Sequence, residues 1–274
     1  LVLPTLIGQN SASLYYWSSK SLQMDRWSGR VALVTGASSG IGAAVSEDLV
    51  KAGVNVIGCA RRVDKIQALA DKLKGEKGSL TAMKCDLNNE DEIKAMFEVI
   101  NKDHGGADIC INNAGIGNYA PLLESETNRW KQMLDLNILA LCICTREAVK
   151  GMRARGVDDG HVIHVASMDA HRMYSDPAEH FYAATKQMVK ALLEGHRNEL
   201  RTLKSHIRVS EVCPAMTETE FVLQGGPEGM FDDQYSKYKV LEARDISAAI
   251  LYMLSQPAHV QVHDVLVRPT EQVL

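Results

Sequence analysis

The chain has 274 residues, 46% hydrophobic and 23% charged, which fits a globular protein and excludes a disordered one. Thirty Lys and Arg against 34 Asp and Glu leave a net charge of −4, so no electrostatic footprint for nucleic acid or an anionic membrane is expected. A chain of this size buries roughly three quarters of its unfolded surface and needs no disulfide or metal staple.

Leu1 to Gln23 carries no acidic residue and one Lys. Its apolar opening is too short to span a bilayer and lacks a basic flank. Residues 1–23 are therefore expected to be a non-native or unstructured extension, and 24–274 a single domain.

From Arg30 onward, β-branched runs alternate with helical patterns. The runs are VALVT (31–35), VNVIGCA (54–60), LTAMKCD (80–86), DICINN (108–113), HVIHVAS (161–167), IRVSEVC (207–213) and VHDVLV (262–267). Apolar spacing near 3.6 marks helices over Ala43–Ala52, Lys65–Leu73 and Glu90–Asn101. Strand–helix alternation with near-continuous apolar strands predicts a doubly wound, Rossmann-like α/β domain, with six or seven parallel strands and helices on both faces. Two long connections, Ser167 to about Glu179 and Cys213 to about Arg244, leave the C-terminal ends of strands. Open α/β sheets bind ligands there.

Thr35-Gly36-Ala37-Ser38-Ser39-Gly40-Ile41-Gly42 follows the first strand and opens a helix. Its glycines let backbone turn tightly and approach a pyrophosphate, whose charge a helix N-terminus stabilises. The spacing G-x-x-x-G-x-G differs from the common G-x-G-x-x-G, and no G-K-[ST] is present. At the end of the second strand Ala60 stands where an NAD site places an acid, and Arg61 and Arg62 follow. A guanidinium pair suits a 2′-phosphate, so NADP(H) is expected over NAD(H). Asp86-Leu87 ends the third strand, where the carboxylate suits both an adenine amino group and a turn cap. Asn112-Asn113-Ala114-Gly115 follows the fourth. Alone it reads as a turn, with small residues that let backbone approach a cofactor.

Ser167 ends the fifth strand, and Tyr182-Ala-Ala-Thr-Lys186 lies in a helical pattern that places Tyr182 and Lys186 on one face. An ammonium beside a phenol is expected to lower the phenol pKa from about 10, giving an acid or base usable near neutrality. No C-x-x-C occurs among the six cysteines and no N-x-S/T sequon is present. Buried free thiols and a cytoplasmic location are expected. Nine histidines show no H-E-x-x-H or dense cluster, so no metal is expected.

These residues together resemble the classical short-chain dehydrogenase/reductase family. The resemblance runs from residue 30 to about 270 through TGASSGIG (35–42), NNAG (112–115), Asn137, Ser167 and YAATK (182–186). It implies that Tyr182 is the proton donor or acceptor and that Lys186 binds the nicotinamide ribose and tunes Tyr182. It also implies that Asn137 holds a water linking Lys186 to solvent and that Ser167 orients substrate. Pro214-Ala215 stands where the family has Pro-Gly, which adds a methyl beside the nicotinamide. Met216-Thr217-Glu218-Thr219 still offers Thr219 to the carboxamide. More narrowly, MDRWSGRVALVTGAS, CARR, VDDGHVI and VRPTEQV look like the subgroup of dehydrogenase/reductase family member 11 and insect farnesol dehydrogenases. That resemblance implies NADP(H) chemistry on keto-steroids, other carbonyls or prenyl alcohols, in a homodimer or homotetramer paired through the helices of Asn137 and Tyr182. A non-catalytic NADP(H) sensor or scaffold of the same fold is the alternative.

The substrate walls are expected from 168–181 and the stretch after Pro214: Met168, Met173, Tyr174, Phe181, Met216, Phe221, Val222, Leu223, Met230 and Phe231. Of these, Met168 and Tyr174 join Ser167 and Tyr182 as the expected substrate contacts. These segments carry few cations, mainly Arg172, and several carboxylates, Asp169, Asp176, Glu218 and Glu220. This lining is expected to favour uncharged, apolar substrates. His171 and His180 flank the site, with surface or packing roles expected.

Overall fold

The computed structural model describes residues 24–173, 176–221 and 237–272. Residues 1–23, Tyr174, Val222, Leu223, Met230 and Phe231 lie outside them. The chain enters through a short turn in which Trp27 is fully buried and its Nε1 donates to Leu254 O at 2.8 Å.

Seven strands form one parallel sheet: β1 (Val31–Thr35), β2 (Asn55–Ala60), β3 (Ser79–Lys84), β4 (Ile109–Asn112), β5 (His161–Val165), β6 (Arg208–Pro214) and β9 (Asp264–Val267), in the order β3-β2-β1-β4-β5-β6-β9. β4, β5 and β6 are buried along their whole length, which explains their unbroken β-branched runs. β3, at an edge, is half-exposed.

Helices α1 (Gly40–Lys51), α2 (Val63–Lys72), α3 (Glu90–Asp103), α4 (Thr127–Leu134), α5 (Leu141–Ala154), α6 (His180–Thr202) and α7 (Ala243–Ser255) cover the sheet. On one face Val45, Leu49, Ile246 and Ile250 pack against Val34, Ile111 and Ile163. On the other, Ile93, Phe97, Cys144 and Leu193 pack against Leu33, Cys110 and Val209. These two cores are what alternate residues of a two-sided buried sheet require. All six cysteines are free.

Three features depart from the sequence reading. The strand written to Ser167 ends at Val165, because the chain leaves the sheet two residues early. The stretch after Pro214 contains a small parallel pair, β7 (Thr217–Glu218) and β8 (Leu241–Glu242), too short to show a period. Asn137 lies on a π-helical turn, Asp135–Ala140, between α4 and α5. Such turns often mark functional sites.

Candidate active site

β1 lies where strand order reverses, with β2 on one side and β4 on the other. The crevice outside its C-terminal end is where such sheets bind nucleotides. The chain turns there through Gly36 and Gly40, both left-handed, at φ +68° and +55°. A Cβ on Gly42 would lie 2.4 Å from Gly36 O and 2.5 Å from Asn113 Nδ2. Asn113 fixes this contact, its Nδ2 donating to Thr35 O at 2.9 Å and Gly36 O at 3.3 Å. In return, Thr35 Oγ1 accepts from the N–H groups of Asn113 (3.0 Å) and Ala114 (3.1 Å). Two motifs 77 residues apart are therefore one rigid cradle.

Along the rim, Arg61 is exposed and has no hydrogen bond or ion pair among the described residues. Arg62 Nη1 meets Glu220 Oε2 at 2.8 Å, and its Nη2 lies 3.1 Å from Ser39 Oγ and 3.4 Å from Ser38 Oγ. Lys65 Nζ meets the other Glu220 oxygen at 2.7 Å. Lys65 and then Arg62 draw the Glu220 carboxyl down to about 2. Lys65 was missing from the sequence reading, and Glu220, expected on the substrate side, stands at the nucleotide rim. Asp86 makes a turn cap, its Oδ1 accepting from Asn88 N at 3.1 Å, while Asn89 caps α3. Asp86 and Leu87 both line the cavity.

At the other end, Ser167, Tyr182, Lys186 and Asn137 are all buried. Four-residue spacing on α6 puts Lys186 Nζ 5.6 Å from the Tyr182 ring centre, and Nζ donates to Val165 O at 3.0 Å. Asn137 clamps Ile116: Oδ1 accepts from its N–H and Nδ2 donates to its carbonyl, each at 2.9 Å. Asn137 Nδ2 also donates to Thr185 Oγ1 at 3.2 Å. Asn137 thus ties the loop after β4 to α6.

The phenol differs from expectation. Burial first, then Tyr119 and Asp169, push Tyr182 well above the ordinary tyrosine value, and the Ser167 hydrogen bond only partly offsets this. The Lys186 ammonium points its proton at the Val165 carbonyl. Burial lowers Lys186 itself to about 8. Ser167 also differs: its hydroxyl donates to Asp169 Oδ2 at 3.0 Å and accepts from Asp169 N at 3.2 Å. Tyr182 therefore keeps its proton at neutral pH.

A cavity of about 550 Å³ joins the two ends. Gly36, Ser38, Ser39, Gly40, Ile41, Asn113, Ala114, Gly115, Pro214, Ala215, Met216, Thr217 and Thr219 line it. Ala37 and Gly42 support it from behind, with Ala37 fully buried. Met168 and Phe221 stand in the walls, the Phe221 ring 5.7 Å from that of Tyr182. Phe181 and Met173 do not line it: Phe181 stacks on Trp130 at 5.2 Å, and Met173 is exposed. The sequence reading missed Ile116, Tyr119, Leu136, Glu179 and Gln272 in the lining. The helical phase of Glu179 relative to Tyr182 was the available signal for that residue.

His171 faces Lys190 Nζ at 3.1 Å and Asp264 at 3.8 Å, outside the cavity lining. The fold also brings His171, Glu211 and Cys213 within 4.8 Å of one another, a grouping invisible in the sequence. Lys190 already supplies a cation beside it. Among the described residues no helix is long and apolar enough to cross a membrane.

Comparison with known proteins agrees with this geometry. Residues 30–226 match the family model for short chain dehydrogenases. The chain is 49% identical over 255 residues to dehydrogenase/reductase SDR family member 11 of Gallus gallus, covering 91% of this chain and all of the relative. It is 41% identical over 248 residues to farnesol dehydrogenase of Aedes aegypti, covering 90% and 98%. A solved serine dehydrogenase in complex with NADP+ superposes with a TM-score of 0.81 at 28% identity, covering 89% of this chain and 96% of that one. A glycine cradle at the switch point, a buried Tyr–Lys pair facing it across one cavity, and a family match over most of the fold lead to one assignment: the chain belongs to the short-chain dehydrogenase family of oxidoreductases.

Proposed function

We propose that the protein is an NADP(H)-dependent oxidoreductase that interconverts alcohols with ketones or aldehydes, acting on apolar compounds such as steroids, isoprenoid alcohols or small carbonyls. The observation that carries this reading is the single cavity running from Arg61 and Arg62 to Tyr182 and Lys186. The cradle fits a dinucleotide: it is closed where a Cβ on Gly42 would collide, and backbone is exposed along Gly36, Gly40 and Gly115. When bound, the nicotinamide supplies or accepts the hydride.

The chain's own residues then have distinct tasks. Arg61 and Arg62 take the 2′-phosphate, with Ser38 and Ser39 beside Arg62. Asp86 takes the adenine edge and Thr219 the carboxamide. Lys186 holds the ribose hydroxyls, and its charge eases proton loss from the phenol. Tyr182 donates its proton to the substrate oxygen in reduction and takes it back in oxidation. A raised phenol pKa favours the donor form at neutral pH. Ser167, hydrogen-bonded to Tyr182, orients the substrate oxygen. Asn137 is a positioning residue for Ile116 and α6. Met168, Met216, Phe221 and Ile116 supply apolar wall, and flexible Met side chains suit varied shapes. We read the protein as a cytoplasmic homodimer or homotetramer. Light scattering that finds only a 30 kDa species would refute the oligomer.

The test follows NADPH absorbance with a non-ionic ketone and a keto acid of equal carbon number. The expected result is a higher kcat/KM for the ketone. A preference for the acid would overturn the apolar reading and point to Arg172 as its anchor. Tight NADPH binding without turnover of any carbonyl would favour a sensor.

A further inference from the structure

Two carboxyl groups stand beside Tyr182 where an apolar pocket has no need of them. Asp169 and Glu179 both line the cavity, and both are more than nine-tenths buried. Asp169 is compensated at one oxygen: Oδ2 accepts from Ser167 Oγ while Oδ1 has no partner, and the Lys186 and Arg172 charges act on it. Glu179 is not. Among the described residues its carboxylate has no hydrogen bond or ion pair, and its charged neighbours are Asp169 and Asp176, of like sign. It precedes α6, yet its side chain does not cap that helix. A largely buried carboxylate without a partner is costly, and the Glu179 oxygens are not sealed in the wall but keep access on the side of the cavity. Burial and the two neighbouring carboxylates hold it up at about 7.

We propose that Glu179 is a substrate-binding residue that accepts a hydrogen bond from a second hydroxyl on the substrate, one other than the reacting oxygen. This rests on the reaction read above and narrows its substrate class to hydroxy-ketones and the matching diols, with an otherwise apolar body. Glu179 offers carboxylate oxygens to the cavity it lines. A plain ketone brings only an acceptor to this wall and leaves Glu179 unsatisfied. A carboxylate would add a third negative charge. An ammonium would enter a pocket already holding Lys186 and, against Asp169, Arg172, so the neutral hydroxyl is the better match.

The experiment uses the whole protein with NADPH and one cyclic ketone skeleton bearing, at one position, hydrogen, a hydroxymethyl, an aminomethyl or a carboxylate. The readout is the ratio of kcat/KM for each derivative to that of the unsubstituted ketone, measured within each variant, so the folded fraction cancels. For wild type the hydroxymethyl ratio should be about tenfold to a hundredfold, the worth of a hydrogen bond to a charged group. Glu179→Leu should bring that ratio to about one, whereas Glu179→Gln, which keeps an acceptor oxygen, should retain part of it. No hydroxyl preference in wild type, or the same preference in Glu179→Leu, overturns the inference. A larger ratio for the aminomethyl derivative overturns the choice of a neutral hydroxyl. Turnover of the plain ketone with a flat series leaves the reaction standing and sinks only this inference, whereas no turnover of any ketone sinks both.

Discussion

The two ends of the cavity are built on opposite principles. The glycine end is backbone against backbone: Gly36, Gly42 and the Asn113 amide interlock, and the charges of Arg61 and Arg62 stand exposed on the rim. The substrate end is side chain against side chain, with Tyr182, Lys186, Asp169 and Glu179 all buried and all moved from their ordinary pKa values. Recognition of an invariant ligand needs shape and exposed charge. Moving a proton needs groups whose affinities burial has reset. Substitutions at the two ends should therefore fail differently.

The largest expected effect is at the buried end. Tyr182→Phe removes only the hydroxyl, so NADPH binding should persist while kcat falls roughly 10²- to 10⁴-fold, the usual worth of a positioned acid. Substantial residual turnover would place the proton elsewhere. At the rim, Arg61→Ala with Arg62→Ala should raise KM for NADPH about tenfold to a hundredfold, since hydrogen bonds to charged groups are each worth about 1.5–3 kcal/mol. KM for NADH should hardly move, and equal changes would show that the arginines do not read the 2′-phosphate.

Smaller effects come from titration. With Lys186 at about 8, its ammonium is lost as pH rises through that value. The kcat/KM for reduction, which reports the free enzyme, should fall above about pH 8. Lys186→Arg should carry that inflection out of range, and an unmoved inflection would assign it to another group. The smallest expected effect lies under the site, at Glu211. It is fully buried on β6, and burial raises its carboxyl to about 7. Between the ordinary glutamate value and about 7 the folded state holds more protons than the unfolded, so this group lowers stability as pH rises across that window. Glu211→Gln should therefore gain Tm relative to wild type, more at pH 8 than at pH 5. A pH-independent difference would rule that out.

Local chemistry made the nucleotide end readable from sequence. TGASSGIG needs only a strand, tight glycines and a helix, and all three are consecutive. The sheet was readable for a similar reason, since two-sided burial writes continuous apolar runs. What escaped depends on long range. Glu220 reaches Arg62 across 158 positions, and no period in the sequence encodes that contact. The direction of the Tyr182 shift escaped as well. Spacing places Lys186 beside the phenol, but only the fold shows that burial, then Tyr119 and Asp169, raise the Tyr182 pKa. β7 and β8 were missed because two-residue strands carry no pattern at all.

The strand order also sets a timetable for the growing polypeptide. Both neighbours of β1 lie between Val31 and Asn112, so the cradle's pairing partners have all been synthesised before α6 exists. β9 arrives later still and pairs with β6 alone among the described strands. At roughly 5–20 residues added per second, the glycine cradle precedes the helix of Tyr182 and Lys186 by several seconds. A chain stalled before Tyr182 would carry the glycine cradle without α6, β6 or β9.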